Sequence, residues 1–243
     1  MTKHPLATLL SDYDVVDLSH TLEEGMPNFP THSQYSHDIW ESYWNGDVAV
    51  AYQVKMNEHS GTHVDAPAHF IQEGKSHSWI DSVDATTLIG RAVTIDASAT
   101  PAATSIGTDV LDAFEDRNGR LEAGDIVFFR TGWEDKWRLE PDTAEYMDGY
   151  PGVGADLAKA LTERGVAAVG ADTISLDTFG DKSFPAHYEL LGKGVLIFEN
   201  LTNLAKLPAI CWIIAIPLRI ADGSGSPLRP LAFIPAVSGK DTL

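Results

Sequence analysis

The chain has 243 residues, of which 44% are hydrophobic and 21% are charged, a composition typical of a globular protein. Acidic residues number 35 against 17 lysines and arginines, which gives a formal net charge of −18. A surface of that sign repels phosphate backbones and anionic lipid headgroups, so binding to nucleic acid or to a membrane is not expected.

The single cysteine, Cys211, excludes an internal disulfide, and its apolar surroundings predict a buried thiol. The first ten residues are too short and too weakly apolar for a signal peptide. The apolar stretch between Pro208 and Pro217 is far shorter than the roughly 20 residues needed to span a bilayer. We therefore expect a cytoplasmic protein.

No repeat or low-complexity segment divides the chain, so residues 1–243 are predicted to form one domain. Runs rich in Val and Ile, which predict strands, alternate with apolar patterns of helical period that end at glycine. Strands outnumber helices, which favours an α/β fold with a mixed sheet. In chain order, the predicted elements are a helix at His4–Leu10, strands at Val15–Ser19, Val48–Met56 and Ala92–Asp96, a helix at Thr108–Arg117, a strand at Asp125–Thr131, a helix at Val153–Arg164, a strand at Ala167–Gly170, a short helix from Pro185, and strands at Val195–Glu199 and Ile210–Leu218.

A long segment from Gly132 to Tyr150 has no clear period and carries aromatic residues among many acids. It is predicted to be a long loop, and loops of that length often cover functional sites.

The sequence HSGTHVDAPAHF starts at His59. Within its first eleven residues it carries four candidate metal-binding or acid–base side chains: His59, His63, Asp65 and His69. A glycine and a proline within it argue against a regular helix. In an extended chain, alternate residues share one side, and all four candidates have odd numbers. His63 and Asp65 would lie about 6.6 Å apart along a strand, and His59 about 13 Å from His63. The chain must therefore bend for all to converge, and Gly61 permits the bend.

Imidazole and carboxylate groups together suit Zn²⁺ or Mn²⁺. A catalytic metal site keeps one position open for water, which the metal can make nucleophilic near neutral pH. The competing interpretation is a run of ordinary histidines beside a turn. All four residues have odd numbers and a glycine stands at the bend, and this pattern favours the metal site.

The segment His59–His69 matches every fixed position of H-x-G-T-H-x-D-x-P-x-H, and so resembles the signature of the cyclase-like metal-dependent hydrolase family. That family includes bacterial kynurenine formamidases and isatin hydrolases. Asp17–Pro27 looks like its N-terminal strand and turn, and the resemblance covers nearly the whole chain. Further similar blocks are Phe184–His187, Glu199–Leu204 and Gly223–Pro235. The resemblance implies a swivelling β/β/α-type domain that associates as a homodimer or homotetramer.

Within the signature, the resemblance implies that His59, His63 and Asp65 bind one metal ion. His69 would then be the general acid and base, and not a ligand.

In the second block, the resemblance implies that His187 binds a second ion and that Glu199, with Asp65, bridges the two. Two Zn²⁺ ions are therefore expected, with Mn²⁺ as the alternative. Isatin hydrolases resemble a one-manganese variant in which the position of Glu199 is not acidic. From the residues alone, His187 is typical of a helix start, whereas Glu199 ends an apolar strand, where a carboxylate is costly to bury unless it is paired or metal-bound.

The segment after the opening turn departs from the formamidases. Phe29 stands where they carry a pocket-lining Trp, so Phe29 is expected to bind substrate, and Thr31-His32 replaces their Gly-Asp. The stretch that follows is longer and more similar to the isatin hydrolases. Its aromatic residues suit either the pocket or a subunit interface; they are Tyr35, Trp40, Tyr43 and Trp44.

The predicted function is hydrolysis of a C–N amide bond in a small aromatic or cyclic substrate of the N-formylkynurenine type. Water activated by the metal would attack the carbonyl carbon, and His69 would pass a proton to the leaving nitrogen. One alternative keeps the metal site and opens the ring of isatin, a lactam or a lactone. Another is an inactive metal-binding homologue, which His69 argues against because a mere binder needs no acid or base. A Gly-x-Ser-x-Gly elbow and a phosphate-loop lysine are both missing from the sequence.

Overall fold

The computed structural model describes residues 10–236. The predicted helix at His4–Leu10 therefore lies, apart from its last residue, outside the described residues. The helices are α1 (Thr108–Asn118), α2 (Ala144–Met147), α3 (Ala155–Arg164) and α4 (Pro185–Gly192). The strands are β1 (Tyr13–Asp17), β2 (Ser36–Glu41), β3 (Ala51–Lys55), β4 (His63–Asp65), β5 (Ile89–Asp96), β6 (Ser105–Ile106), β7 (Ile126–Arg130), β8 (Gly152–Val153), β9 (Ala168–Ala171), β10 (Leu196–Glu199), β11 (Ile210–Ile214), β12 (Gly225–Pro227) and β13 (Leu231–Pro235).

Nine of these strands form one large mixed sheet in the order β1-β13-β11-β5-β7-β9-β10-β4-β12. Its centre, β5-β7-β9-β10, is parallel, and the strands on either side run antiparallel to their neighbours. β7, β9 and β10 are almost wholly buried, which explains their near-continuous apolar sequences. The predicted α/β fold with a mixed sheet is confirmed.

The core lies on both faces of this sheet. Val127 and Phe129 join the side chains of α1, α3 and α4 on one face. Ile126 and Phe128 lie on the other face, in a cluster with Cys211. Successive side chains of a strand point to opposite faces, so β7 contributes to both clusters. The predicted burial of the Cys211 thiol is confirmed.

All seven predicted strands and the helices within residues 10–236 are present, with ends that shift by a few residues. For the segment Gly132–Tyr150, the prediction of a long loop is wrong. The segment contains a 3₁₀ turn and helix α2, and Trp133 and Tyr146 are buried beneath it. With Tyr150 and Ile174 these side chains form a small third core cluster, which fixes the segment against the sheet.

The strands β2 and β3 form a separate antiparallel hairpin that stands apart from the large sheet. Its side chains are largely exposed, Trp40 by 74% and Trp44 by 69%. Within residues 10–236, no helix combines the length and the apolar character that a membrane crossing requires.

Candidate active site

The signature segment folds around a bend at Gly61, whose φ of +60° lies in the left-handed region that favours glycine. A Cβ at this position would come within 2.6 Å of Leu22 Cδ2. The bend turns the chain into strand β4, where His63 and Asp65 occupy alternate positions and so face the same side. The bend that the spacing predicted is therefore present.

Strand β4 lies between β10 and β12, and its register places His63 directly opposite Glu199. His187 reaches the same point from helix α4. His63 Nε2 lies 3.3 Å from Asp65 Oδ1 and 3.4 Å from Glu199 Oε2. His187 Nε2 lies 3.5 Å from Asp65 Oδ2 and 3.3 Å from Glu199 Oε1. Two carboxylates and two imidazoles thus alternate around one small centre.

The other nitrogen of each imidazole is anchored to the protein. His63 Nδ1 donates to the carbonyl oxygen of Gly61 at 2.8 Å. His187 Nδ1 lies 2.5 Å from Asp177 Oδ2, and the same carboxylate accepts the backbone N–H of Ala186 at 2.7 Å. Such bonds fix the orientation of a histidine ring and direct Nε2 inward, as in metal sites with ordered outer contacts.

His59 also contacts Asp65. Its Nδ1 lies 2.6 Å from Asp65 Oδ1, and its Nε2 lies 2.9 Å from the hydroxyl of Ser224. That hydroxyl donates to Glu58 at 2.7 Å. Gly225 lies against the ring, where a Cβ would come within 2.6 Å of His59 Cε1. The loop before β12 therefore holds His59 in place by a hydrogen bond and by a close contact.

Burial and negative charge favour the binding of cations at this centre. Burial disfavours the charged form of His63, yet hydrogen bonding to Asp65 and Glu199 raises its pKa to about 10. Burial and the charge of Asp65 disfavour ionised Glu199, but hydrogen bonds from His187 and His63 hold its pKa at about 2. The carboxylates therefore stay ionised and require positive charge between them. Protons supply that charge in the protein alone, and a bound metal ion displaces them.

The donor set fits a divalent metal ion. His63 Nε2 and Asp65 Oδ2 are buried, and their contacts of 3.3 to 3.5 Å with the neighbouring carboxylates and imidazoles are too long or too poorly aligned to satisfy them as ordinary hydrogen bonds. Ligand atoms of His63, Asp65 and Glu199 lie within 4.8 Å of one another. Those of His59, Asp65 and His69 form a second such group. Nitrogen and carboxylate oxygen donors at these distances suit Zn²⁺ or Mn²⁺.

His69 lies at the edge of the centre, in a 3₁₀ turn that follows β4. Its ring stacks on that of His59 with a centroid separation of 3.9 Å. No hydrogen bond from its ring to the described protein is present, and burial lowers its pKa to about 4. The geometry allows His69 to face substrate, and it also allows the ring to act as a ligand together with His59.

A cavity of about 380 Å³ opens onto the centre and is lined by His69, His187, Glu199 and Phe29. A second cavity of about 480 Å³ adjoins it and shares Phe29, Ser175 and Phe184 with it. Phe29 therefore lies at the wall of the candidate pocket, and its binding of substrate stays a prediction. The aromatic residues of the β2–β3 hairpin line neither cavity.

Sequence reasoning missed the residues that position the centre. Asp177 is one of them, and nothing in its spacing along the chain indicates contact with His187. Asn200 donates to the Gly61 carbonyl at 2.8 Å and accepts from Tyr146 at 2.7 Å, and so ties the bend to the third core cluster. The position of Asn200 next to Glu199 was the available signal.

A family model described as "Putative cyclase" matches residues 16–178 of the chain. The chain belongs to the cyclase family. It is 32% identical over 215 residues to the kynurenine formamidase of Bacillus thuringiensis (strain Al Hakam), an alignment that covers 88% of this chain and 94% of that protein. The formamidase of Geobacillus thermodenitrificans (strain NG80-2) matches to the same extent, also at 32% identity.

Solved structures of isatin hydrolases are also similar to the chain. Isatin hydrolase A from Labrenzia aggregata, bound to benzyl benzoate, superposes with a TM-score of 0.86 at 29% identity, covering 96% of this chain and 100% of that one. Isatin hydrolase A from Ralstonia solanacearum gives 0.84 at 30% identity, covering 96% and 98%. The cyclase family member described here thus resembles both enzyme groups that its sequence suggested.

Proposed function

We propose that the chain is a metal-dependent hydrolase that cleaves the C–N bond of a small aromatic amide, with N-formylkynurenine as the model substrate. The formamidase relatives support this choice. The observation that carries it is the alternation of two imidazoles with two buried carboxylates, of which Glu199 is the second.

In this proposal, His59, His63 and Asp65 would hold one ion and His187 would hold a second, and Asp65 and Glu199 would be available to both. Zn²⁺ is the preferred ion and Mn²⁺ the alternative, given the nitrogen and oxygen donors. A divalent ion supplies Lewis-acid polarisation of the amide carbonyl and lowers the pKa of water towards neutrality. The protein contributes the fixed ring orientations, since Gly61 and Asp177 anchor the outer nitrogens.

His69 takes the proton of the attacking water and returns it to the leaving nitrogen. Its ring borders the cavity beside His187 and Glu199, within reach of both the water and the amide. Because none of the described residues forms a hydrogen bond with its ring nitrogens, they are free to exchange a proton with substrate. Formation of the new C–O bond and loss of the C–N bond then leave a carboxylic acid and an amine.

Phe29 and Phe184 bind the aromatic part of the substrate. Both side chains border the reaction cavity and its more apolar neighbour. Aromatic rings bind planar apolar groups and exclude water from the amide, which strengthens electrostatic interactions at the centre.

Ring opening of isatin is the second candidate, supported by the isatin hydrolase structures and by this aromatic wall. It requires the same attack on a C–N bond. Isatin differs from N-formylkynurenine in the acyl group that is attacked. If one metal ion is enough for ring opening, Glu199 is not needed.

The deciding experiment measures bound metal by plasma mass spectrometry, and activity on N-formylkynurenine and isatin in parallel. Two metal equivalents with deformylation support the proposal. One equivalent, with isatin opened and N-formylkynurenine untouched, assigns the second candidate. Bound metal without either activity points to a metal-binding homologue.

We also propose that the chain associates with copies of itself through the exposed β2–β3 hairpin. Its aromatic residues support a homodimer or homotetramer, because exposed aromatic surface of this kind is typical of interfaces. Light scattering on the eluate of a sizing column tests this: a monomeric mass would contradict it.

A further inference from the structure

A cavity of about 360 Å³ lies at the carboxyl ends of β5 and β7, beside helix α1. Its lining includes Thr94 and Asp96 of β5, Arg130 of β7, Arg117 of α1 and the turn that begins at Leu204. We call it the α1 cavity. It shares no lining residue with the two cavities at the candidate active site.

The charge of the α1 cavity is opposite to that of the chain. Two arginines line it against one acidic residue, although acids outnumber lysines and arginines by 35 to 17 overall. Arg117 makes no ion pair among residues 10–236, and its Nε donates to a backbone carbonyl of its own helix. Arg130 reaches Asp96 only at 3.3 Å, and the Asp96 side chain is 66% exposed. Neither guanidinium is therefore fully neutralised by the protein.

Two buried hydrogen-bond donors belong to residues that line this cavity. Arg130 Nε and Thr94 Oγ1 are buried and have no partner among the described residues. The parallel register pairs Asp96 with Arg130 and Thr94 with Phe128, so Thr94, Asp96 and Arg130 point to the same face of the sheet. Buried donors in native proteins are normally satisfied, and two unpaired donors in one cavity indicate a ligand that accepts from both.

We propose that the α1 cavity binds a small organic oxyanion, through its carboxylate or phosphate group. The oxyanion accepts from Arg130 Nε and Thr94 Oγ1, and Arg117 balances its charge. Guanidinium groups favour such planar or tetrahedral oxygen acceptors. Phe114 and Leu207 also line the cavity and contact the carbon skeleton of the ligand.

Calorimetric titration of the purified protein with inorganic phosphate and with benzoate, at constant ionic strength, tests the proposal. Saturable binding of one equivalent of either probe is expected. Arg130→Gln and Arg117→Gln should each weaken it about 10-fold or more, since each removes a charge-assisted contact. Arg138→Gln is the matched control, because Arg138 is exposed and donates only to backbone carbonyls outside the cavity. The better of the two probes identifies the head group.

Two further variants separate binding from folding. Thr94→Val keeps the shape and removes the unpaired hydroxyl, so it should weaken phosphate binding while raising the melting temperature without ligand. Asp96→Asn removes the competitor for Arg130 and should tighten phosphate binding. If neither probe binds saturably, or if Thr94→Val, Asp96→Asn and the arginine variants all bind like the unmodified protein, the α1 cavity is not an oxyanion site.

Discussion

The parallel strands β5, β7, β9 and β10 carry two sites of opposite polarity at their carboxyl ends. At β10, Glu199 joins Asp65 and two imidazoles in a centre that attracts cations. At β5 and β7, Arg130 and Thr94 present donors that attract anions. Ligands commonly bind at this edge of parallel strands, so the backbone explains the location of both sites and the side chains alone decide their charge.

The two sites also differ in burial. The ligand side chains at β10 are almost wholly buried, whereas Arg130 is 30% exposed in its side chain and its partner Asp96 far more. Low exposure strengthens electrostatic interactions. We therefore expect tight, stoichiometric metal binding at the centre and weaker, salt-sensitive binding at the α1 cavity. The following changes test that contrast, from the largest expected effect to the smallest.

Asp65→Asn should abolish metal binding and reduce activity on the order of 10³-fold or more, because all three proposed histidine ligands lie within 3.5 Å of this carboxylate. Metal content and kcat/KM measure the two effects. Phosphate binding at the α1 cavity should stay unchanged, and Asp156→Asn, on the exposed side of α3, is the control. Full metal content in Asp65→Asn would contradict the proposed centre.

His69→Ala should reduce kcat by about 10²- to 10⁴-fold, the range expected for loss of a general acid and base. Metal content should stay at the level of the unmodified protein. Loss of one metal equivalent would instead make His69 a ligand beside His59, as their distances also allow.

Asp177→Ala should weaken metal binding or activity about 10- to 100-fold, because His187 loses the group that orients its ring. Asp177→Asn keeps an acceptor for the N–H groups at the start of α4 and should lose less. Competition with a chelator, followed by an activity assay, ranks the metal affinities of the unmodified protein and the two variants. Equal affinities in all three would show that helix α4 positions His187 without Asp177.

Glu115→Gln should lower the free energy of unfolding by about 1 kcal/mol at pH 7, since Glu115 and Arg164 form a two-point ion pair between α1 and α3. Hydrogen bonding to Arg164 holds the pKa of Glu115 below its ordinary value. The stabilisation is thus present above about pH 4.3 and is lost as pH falls through the folded pKa. Denaturant unfolding at several pH values measures this, with Asp116→Asn as the control. If the Glu115→Gln variant is still less stable than the unmodified protein in acid, the ion pair is not the cause of the difference.

Much of the fold followed from local patterns. The runs at β7 and β10 are apolar throughout because both sheet faces are covered, and such runs are visible in the sequence. Strand β2 was missed, because it carries exposed polar and aromatic residues and has no apolar face. The segment after Gly132 was mistaken for a loop, because Trp133 and Tyr146 are buried by contacts with distant residues.

The sequence by itself determined the ligand types, the bend at Gly61 and the shared face of His63 and Asp65, because these depend on neighbouring residues and on the two-residue period of a strand. Only the tertiary structure decided that Asp177 anchors His187, that Ser224 and Gly225 hold His59, and that Arg117 and Arg130 meet at one cavity. Those contacts join residues from separate elements, and their geometry depends on strand order and register, which local sequence does not encode.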